Sequence, residues 1–236
     1  AIDKKRYSLE PYLNPLMNSF GCTGRHLLEV GCGLGSDSRQ FSRLGAKVAA
    51  IDISKSNALI SKRGFEVCGL DGEVIVADAE NLPFRGCSFD LVYSWGVLHH
   101  TPNTQEAVDQ IYKVLTDGGL VLVMLYHQGL AYYWIILRYG FLSFELLRLP
   151  MEKLTSKHYD HTPLSKMHGK RQAKALFSEF SQLKLTCINF GGIQEHPRLR
   201  ILWKLFKLFP FLERIFGSFL VITAQKSLNP EDREAT

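Results

Sequence analysis

The sequence predicts an α/β fold with a doubly wound, mostly parallel sheet. Short apolar runs alternate with amphipathic stretches in the first half of the chain, which is typical of repeated strand–helix–strand units. The first apolar run leads into a loop with glycine at every second position, at Gly31, Gly33 and Gly35. Right-handed crossovers between parallel strands place helices on both faces of such a sheet. The length of 236 residues suits a single domain of this type.

Each predicted element is an apolar run or an amphipathic stretch bounded by turn residues. The predicted strands are 26–30, 47–53, 73–77, 89–93, 119–126, 183–190 and 218–226. The predicted helices are 7–20, 36–44, 56–63, 104–115 and 170–180. Two helical insertions are expected, at about 129–180 and 196–216. Together these elements predict one domain over residues 1–228, followed by a polar tail at 229–236.

The composition argues against several classes of protein. A net charge of +5 is modest, and the Lys and Arg residues are spread along the chain, so charge does not favour a nucleic-acid partner. The five cysteines are odd in number and form no Cys-x-x-Cys pair, which argues against disulfides and a structural zinc site. This usage predicts a reducing, cytoplasmic setting. No signal-peptide pattern is visible, and charges interrupt the apolar stretches 129–150 and 201–222, so neither is expected to span a membrane.

The spacing of the glycine loop discriminates between cofactors. A dinucleotide-binding loop follows the pattern G-x-G-x-x-G, which requires a glycine at position 36, where this chain has Ser36. The acid Glu29 precedes the first glycine, and a carboxylate there would repel a pyrophosphate. The same carboxylate suits a cofactor that carries an ammonium group. The loop therefore favours a cofactor other than a dinucleotide.

Acidic residues also end the next two predicted strands. Asp52 lies 21 residues after Gly31, where an acid accepts hydrogen bonds from ribose hydroxyls. Asp78 follows the third strand and is a candidate acceptor for an adenine amino group. Taken singly, Glu29 is consistent with a surface acid, Asp52 with a helix N-cap and Asp78 with a turn residue. Three acids at successive strand ends, beside a glycine loop, together predict a site for a cofactor with a ribose and an adenine.

The glycine loop and later segments resemble a known family. Residues 29–35, Glu-Val-Gly-Cys-Gly-Leu-Gly, resemble motif I of class I S-adenosylmethionine (SAM)-dependent methyltransferases. Segments 77–84, 88–94, 97–100 and 114–119 continue the pattern of the methyltransferase type 11 family, so that the resemblance covers about residues 26–126. It implies a Rossmann-like sheet of seven strands whose last strand is antiparallel. It also implies SAM as cofactor and S-adenosylhomocysteine as product.

The resemblance assigns cofactor-binding roles residue by residue. The implied cofactor-binding residues are Glu29, Gly31, Cys32, Gly33, Gly35, Asp52, Ile53, Asp78, Ala79, Glu80, Ser94 and Trp95. The glycines would shape the loop around the methionine moiety, and the acid before them would orient its amino group. Asp52 and Ile53 would hold the ribose and adenine, and the segment that begins at Asp78 would recognise adenine. Ser94 and Trp95 would lie near the methionine end.

Two histidines are the candidate catalytic residues on the acceptor side. Methyl transfer from a sulfonium is an in-line displacement, so positioning supplies much of the catalysis, and a general base is needed only for a protonated acceptor. His99 and His100 follow the fourth strand and are candidate bases, because histidine titrates near neutrality. The alternative, which we favour, is a structural role in packing or capping near Thr104.

Three further residues are candidate substrate-binding residues: Tyr7, Tyr126 and His127. Tyr7 lies in the predicted N-terminal helix, a segment that often closes over the cofactor in this family, and ordinary packing is the alternative. Tyr126 and His127 end the fifth strand at the carboxyl edge of the sheet. No metal site is expected, because the histidines of the stretch 156–169 match no familiar ligand spacing and favour a solvated loop.

Two apolar stretches predict the type of acceptor. Residues 131–139 follow the fifth strand, where the family elaborates its acceptor pocket, and residues 199–216 alternate aromatic with basic side chains. The second stretch is consistent with a cover over the core, a homodimer face or peripheral contact with a membrane. The sequence therefore predicts a SAM-dependent methyltransferase for a small, apolar or aromatic acceptor. An RNA or protein methyltransferase and a non-catalytic SAM-binding protein are the alternatives.

Overall fold

Seven strands form one mixed sheet. The computed structural model describes residues 2–188 and 217–227. The strands are β1 (His26–Val30), β2 (Lys47–Asp52), β3 (Glu73–Val76), β4 (Phe89–Trp95), β5 (Leu115–Tyr126), β6 (Phe180–Ile188) and β7 (Phe219–Lys226). Their order in the sheet is β3-β2-β1-β4-β5-β7-β6. β1 is parallel to β2 and β4, and β2 is parallel to β3, whereas the last strand, β7, is antiparallel. The predicted seven-stranded sheet with an antiparallel last strand is confirmed.

The helices of the described residues lie between these strands and before the first. They are α1 (Ile2–Leu9), α2 (Leu13–Ser19), α3 (Ser36–Arg43), α4 (Lys55–Cys68), α5 (Thr104–Val114), α6 (Leu130–Ile135), α7 (Met151–Thr155) and α8 (Lys170–Leu176). Two 3-10 turns, Leu98–His100 and Glu145–Leu147, and two π-helical turns, Ile136–Phe141 and Ser156–Asp160, extend or connect them. The predicted helical insert at 196–216 lies outside the described residues.

The central strands are buried along nearly their whole length. Every residue of β1 and β2 after the first is buried, which is typical of parallel strands covered on both faces. Both ends of α4 are capped by residues suited to these positions. The hydroxyl of Ser54 accepts a hydrogen bond from the backbone N–H of Asn57 at 3.4 Å, and the helix ends at Gly69, whose φ is +62°. Because β1 and β2 pair in parallel up to Val30 and Ile51, their carboxyl ends lie at the same edge of the sheet.

The predicted N-terminal helix over 7–20 is wrong, because two helices replace it. α1 ends at Leu9 and α2 begins at Leu13. Pro11 lies in the break between them. Proline has no N–H to donate within a helix, and it disfavours the helical conformation of the residue before it. Tyr7 therefore lies in the short helix α1 and not in one long N-terminal helix.

The fifth strand begins four residues earlier than predicted, at Leu115. The turn residues before 119 suggested a later start, but the strand runs through them, with Gly118 at a φ of +72°. The ammonium of Lys226 anchors this region, because it donates to the carbonyl of Leu115 at 2.8 Å and lies 3.5 Å from the carboxylate of Asp117. Later in the sequence, the predicted helix 170–180 is shorter, because α8 ends at Leu176. The predicted strand 183–190 starts earlier, because β6 begins at Phe180.

The described chain comprises two compact units. The first takes the described residues within Ala1–Trp95, Glu106–Leu122 and Gln225–Thr236, and the second takes those within Gly96–Gln105 and Val123–Ala224. The single domain over 1–228 stays a prediction. Of the helices described, none has the length and apolar character needed to cross a membrane.

Candidate functional site

The glycine loop follows β1 in the first unit, at the point where the strand order reverses between β1 and β4. Open α/β sheets bind ligands at the carboxyl edge of such a point. The backbone N–H groups of Gly31 and Cys32 both donate to the carbonyl of Ile51 at 2.8 Å. Gly35 precedes α3 with a φ of +73°, and a Cβ there would collide with the side chain of Ser61. The close approach and the left-handed backbone together require glycine at position 35.

Asp52 holds the glycine loop from the neighbouring strand. Its Oδ2 accepts the backbone N–H of Gly33 at 2.8 Å, and its Oδ1 accepts the N–H of Ser54 at 2.9 Å and the amide of Asn57 at 3.3 Å. The carboxylate is buried, with 8% of the residue exposed. A carboxylate has about four acceptor positions, so one remains for a ligand hydroxyl. The structure thus gives Asp52 a loop-shaping contact that the sequence did not predict.

Glu29 presents a buried carboxyl group to the loop. The residue is 3% exposed, and its carboxyl accepts a hydrogen bond from the hydroxyl of Ser38. Burial, and next the charge of Asp37, raise the pKa of Glu29 well above its ordinary value, although the Ser38 hydrogen bond opposes this. A cationic group beside this carboxyl would favour its ionised form. The position therefore suits a ligand that carries an ammonium group.

Asp37 forms the centre of a network that fastens α1 to α3. Its carboxylate accepts two hydrogen bonds from the guanidinium of Arg6, at 3.1 and 2.8 Å. It also accepts the phenol hydroxyls of Tyr7 at 3.1 Å and Tyr93 at 2.9 Å. A second ion pair, between Arg39 and Asp3 at 2.5 Å, joins the same two helices. Sequence reasoning did not single out Asp37 or Arg6, because the spacing of 31 residues between them carries no local signal.

A cavity of about 390 Å³ lies between α1 and the glycine loop. Its lining residues are Lys5, Arg6, Leu9, Glu29, Gly31, Cys32, Gly33, Leu34, Ser36, Asp37 and Trp95. Five of them belong to the predicted cofactor-binding set. Burial, and next the charge of Glu29, raise the pKa of Cys32 to about 12, so this wall carries a neutral thiol. Tyr7 was predicted to bind substrate, but its hydroxyl is committed to Asp37 beside the cavity.

Trp95 lines the cavity and carries a buried indole N–H. Its indole Nε1 is buried and has no hydrogen-bond partner among the described residues. The ring stacks against Tyr93, with the centroids 6.1 Å apart and an angle of 12° between the planes. A buried donor without a partner is costly, and a ligand acceptor such as a carboxylate would satisfy it. Ser94, by contrast, donates its buried hydroxyl to the carbonyl of Val30 at 3.0 Å, and its place near the methionine end of the cofactor stays a prediction.

The residues predicted to hold adenine lie along the same sheet edge but outside the cavity lining. Asp52 pairs in register with Val76, and the N–H of Ala77 donates to the carbonyl of Asp52 at 3.2 Å. Asp78 is exposed, and its Oδ1 accepts the backbone N–H of Glu80 at 2.9 Å. Ile53 is 73% exposed, Ala79 is buried and Glu80 is half-buried. Their adenine-binding roles stay a prediction.

A larger cavity, of about 890 Å³, occupies the opposite edge of the sheet in the first unit. Its lining includes His26, Lys47, Glu73 and Phe89, the first residues of β1 to β4. Ligands of open α/β sheets bind outside the carboxyl ends of the strands, and these residues mark the amino ends. The smaller cavity at the glycine loop is therefore the better candidate.

The candidate bases His99 and His100 lie in an aromatic cluster of the second unit. His99 is fully buried, its ring lies 3.7 Å from that of Tyr126, and neither ring nitrogen has a partner among the described residues. Burial lowers the pKa of His99 well below its ordinary value, and the charge of His100 adds to this. The Nδ1 of His100 lies 2.7 Å from the carbonyl of Leu164, to which it donates. These contacts support the structural role, and the role as base stays a prediction.

His127 and His168 form a second buried pair in the same unit. The Nδ1 of His127 donates to the carbonyl of Gly217 at 2.7 Å, and burial lowers its pKa. His168 pairs with His127 in an isolated β-bridge, and its N–H donates to the carbonyl of Tyr126 at 2.8 Å. The expected solvated loop over 156–169 is therefore wrong at both ends, because Ser156–Asp160 forms a π-helical turn and backbone pairing beside β5 buries His168. Contact of Tyr126 and His127 with a substrate stays a prediction.

The sheet order, the glycine loop and the acids at its strand ends define the fold and cofactor edge of class I methyltransferases. Residues 28–123 match the family described as "Methyltransferase domain" and form a domain of that type, so the predicted family is confirmed. SAM is the cofactor of this domain. The buried acid Glu29 and the free N–H of Trp95 fit the amino-acid end of that cofactor.

The chain is similar in sequence to curated proteins that are named as methyltransferases. The chain is 29% identical over 179 residues to a ubiquinone/menaquinone biosynthesis C-methyltransferase of Pseudomonas aeruginosa, covering 72% of this chain and 70% of that protein. It is 30% identical over 100 residues to a sterol 4-C-methyltransferase of Caenorhabditis elegans, covering 42% of this chain and 30% of the relative. The chain spans about a quarter to a third of the length of the first curated relatives that it matches.

Solved structures share the fold at low sequence identity. A putative methyltransferase from Bacillus halodurans has a TM-score of 0.66 and 20% identity, with 91% of this chain and 98% of that chain covered. The [4+2]-cyclase SpnF has a TM-score of 0.62 and 16% identity, with 92% and 81% covered. The same fold therefore occurs in a protein named for a different reaction, and the chemistry must be argued from the site.

Proposed function

We propose that this protein transfers the methyl group of SAM to a small, apolar or aromatic acceptor. One observation carries the proposal. The cavity at the glycine loop is lined by Glu29, whose carboxyl is buried, and by Trp95, whose buried indole N–H has no partner among the described residues. The first suits an ammonium group and the second suits a carboxylate, which are the two charged groups on the α-carbon of the methionine moiety of the cofactor.

The residues of the chain bind and orient the cofactor rather than take part in bond making. When bound, SAM would supply an electrophilic methyl group, which the acceptor would take in line as the methyl–sulfur bond breaks and S-adenosylhomocysteine leaves. Asp52 fixes the loop through Gly33 and keeps an acceptor position for a ribose hydroxyl. The Arg6–Asp37 pair holds α1 against α3, and both residues line the cavity.

The second unit supports an apolar acceptor. Buried Ile135, Leu154 and Met167 pack with a set of partly buried apolar side chains, four of which are tyrosines: Tyr126, Tyr132, Tyr139 and Tyr159. Such an apolar and aromatic cluster favours a hydrophobic or aromatic compound over a charged polymer. The names of the relatives, a sterol and a quinone-pathway C-methyltransferase, support the same class. All five cysteines are free thiols, which supports the proposed cytoplasmic setting.

A transfer assay with methyl-labelled SAM tests the proposal. The protein is incubated with a panel of sterols, quinols and simple phenols, and the label is measured in the organic phase. We expect label in at least one apolar acceptor and none with the Glu29→Gln variant. Label that appears only in added RNA or protein would overturn the proposed acceptor class. Tight S-adenosylhomocysteine binding without any transfer would instead favour a non-catalytic protein.

A further inference from the structure

An exposed apolar surface lies in the second unit between residues 133 and 147. Six large apolar side chains there are more than half exposed: Tyr133 56%, Leu137 52%, Phe141 62%, Leu142 65%, Phe144 67% and Leu147 82%. We call these six residues the apolar surface. Single exposed apolar side chains are ordinary, but a cluster of this kind marks an interaction site.

The backbone aligns these side chains on one side of a continuous helical segment. α6 runs directly into the π-helical turn Ile136–Phe141. Tyr133, Leu137 and Phe141 follow at intervals of four residues, so they share a face. Ile135 points away from that face and is buried against the apolar core of the unit. The segment is therefore anchored by one side and leaves the other to solvent.

The tip of the apolar surface is held in an unusual backbone conformation. Phe144 has a φ of +56°, in the left-handed region that bulky residues rarely occupy. The turn before it is fixed by Ser143, whose hydroxyl donates to the carbonyl of Arg138 at 3.2 Å and lies 3.3 Å from its guanidinium. This arrangement keeps Phe144 directed outward, although burial would be the default for phenylalanine.

The border of the apolar surface is positively charged. Arg138 and Arg148 are exposed. Glu145 is the only acid between residues 130 and 150, and its carboxylate forms an ion pair with Lys157 at 2.9 Å and lies 3.0 Å from the Nε2 of His158. A recess of about 440 Å³ adjoins this surface at Tyr133 and is lined also by Lys170 and Arg171, among others. Apolar and cationic groups thus lie side by side.

We propose that the apolar surface docks onto a membrane that contains anionic phospholipid. Aromatic and aliphatic side chains would enter the boundary between headgroups and acyl chains, while the arginines at the border would contact phosphate groups. A second copy of the chain fits less well. A two-fold dimer through this face would bring its positive border against the same border of the partner. This docking does not depend on the proposed methyl transfer.

Co-sedimentation with vesicles tests the apolar part of the proposal. We expect the wild-type chain to bind vesicles of phosphatidylcholine mixed with phosphatidylglycerol, and Phe141→Ser/Phe144→Ser to bind roughly tenfold more weakly. The matched control is Leu59→Ser/Val67→Ser, which removes apolar side chains of α4 that are 57% and 73% exposed, and which should bind like the wild type. Circular dichroism and thermal unfolding of each variant verify that it is folded.

The charged part is tested with Arg138→Gln/Arg148→Gln on the same vesicles. At low ionic strength we expect roughly fivefold weaker binding for each arginine removed, and weak binding of the wild type to pure phosphatidylcholine. Equal binding of the phenylalanine variant, or equal binding to both kinds of vesicle, would overturn the proposal. A dimer by light scattering that the phenylalanine variant abolishes would show that a second copy occupies the surface.

Discussion

The carboxylate of Asp52 accepts the backbone N–H of Gly33 at 2.8 Å, so the end of β2 determines the shape of the loop that follows β1. Asp52→Ala removes three accepted hydrogen bonds and leaves partly buried donors without this partner. We expect a loss of about 1–3 kcal/mol in the free energy of unfolding and at least a tenfold loss in S-adenosylhomocysteine affinity. Urea denaturation and calorimetric titration measure the two effects.

The control for this prediction is Asp71→Ala, since Asp71 is exposed. It should change neither quantity appreciably. If Asp52→Ala left both the stability and the affinity unchanged, the loop would be held by other contacts.

Gly35→Ala tests the requirement for glycine before α3. The added Cβ would collide with the side chain of Ser61 in addition to the cost of a φ of +73°. Gly69→Ala is matched for φ, at +62°, but its Cβ would meet no atom within 4 Å. We expect a loss of about 1 kcal/mol for Gly69→Ala and about 2–4 kcal/mol for Gly35→Ala, measured by urea denaturation. Equal losses would show that the contact with Ser61 is relieved without cost.

Arg6→Gln tests the fastening of α1. It removes the bidentate hydrogen bond to buried Asp37 and leaves that carboxylate with only the two phenol donors, Tyr7 and Tyr93. We expect a loss of about 1–3 kcal/mol in stability and faster proteolysis before α2. Arg63→Gln breaks an ion pair whose side chains are 75% and 51% exposed, and it should cost less than about 0.5 kcal/mol. A similar effect of both variants would contradict the role of Arg6.

The fold could be predicted from the sequence because its signals are local. Apolar runs bounded by turn residues located all seven strands, and Gly31 to Gly35 located the cofactor edge. The predicted bounds of helices and strands were wrong where another residue or a distant contact overrode a local sequence signal. Pro11 divided the N-terminal helix, and β5 continued through Gly118 because Lys226, more than a hundred residues away, anchors its first residues. A contact at that separation leaves no pattern in the sequence.

The site could be predicted only in part, because contacts between residues far apart in the chain leave no pattern in the sequence. Glu29 and Asp52 were identified from their positions at strand ends, but their protein partners were not. Asp37 had no motif, and its role depends on side chains from α1 and β4. Ser94 was placed near the cofactor by resemblance, whereas its hydroxyl joins β4 to the backbone of β1. Hydrogen bonds of this kind can be identified only in the three-dimensional structure.

His168 should make stability depend on pH. Burial lowers the pKa of His168 from its ordinary value to about 4, so the folded chain keeps it neutral while the unfolded chain binds a proton below about pH 6.5. The contribution of neutral His168 to the free energy of unfolding is fully present above about pH 6.5 and is lost as the pH falls toward 4. Between about pH 7.5 and pH 5 we expect this group alone to cost about 2 kcal/mol.

The measurement is urea denaturation of the wild type and of His168→Gln at both pH values. The variant should lose less stability on acidification than the wild type. His26→Gln, at an exposed histidine, should keep the wild-type dependence. Identical pH dependence of the wild type and His168→Gln would show that His168 is not kept neutral by the fold.

Calorimetric titration with S-adenosylhomocysteine tests the central claim, that the cavity beside Glu29 binds the amino-acid end of the cofactor. We expect micromolar binding by the wild type, at least tenfold weaker binding by Glu29→Gln, and no heat with NAD. Because the pKa of Glu29 is raised before the ligand arrives, an ammonium group should release a proton from it, more so at lower pH, and Glu29→Gln should abolish that release. Titrations in buffers of different ionisation enthalpy detect the proton. Binding of NAD instead, or S-adenosylhomocysteine binding that is indifferent to Glu29, would contradict the account.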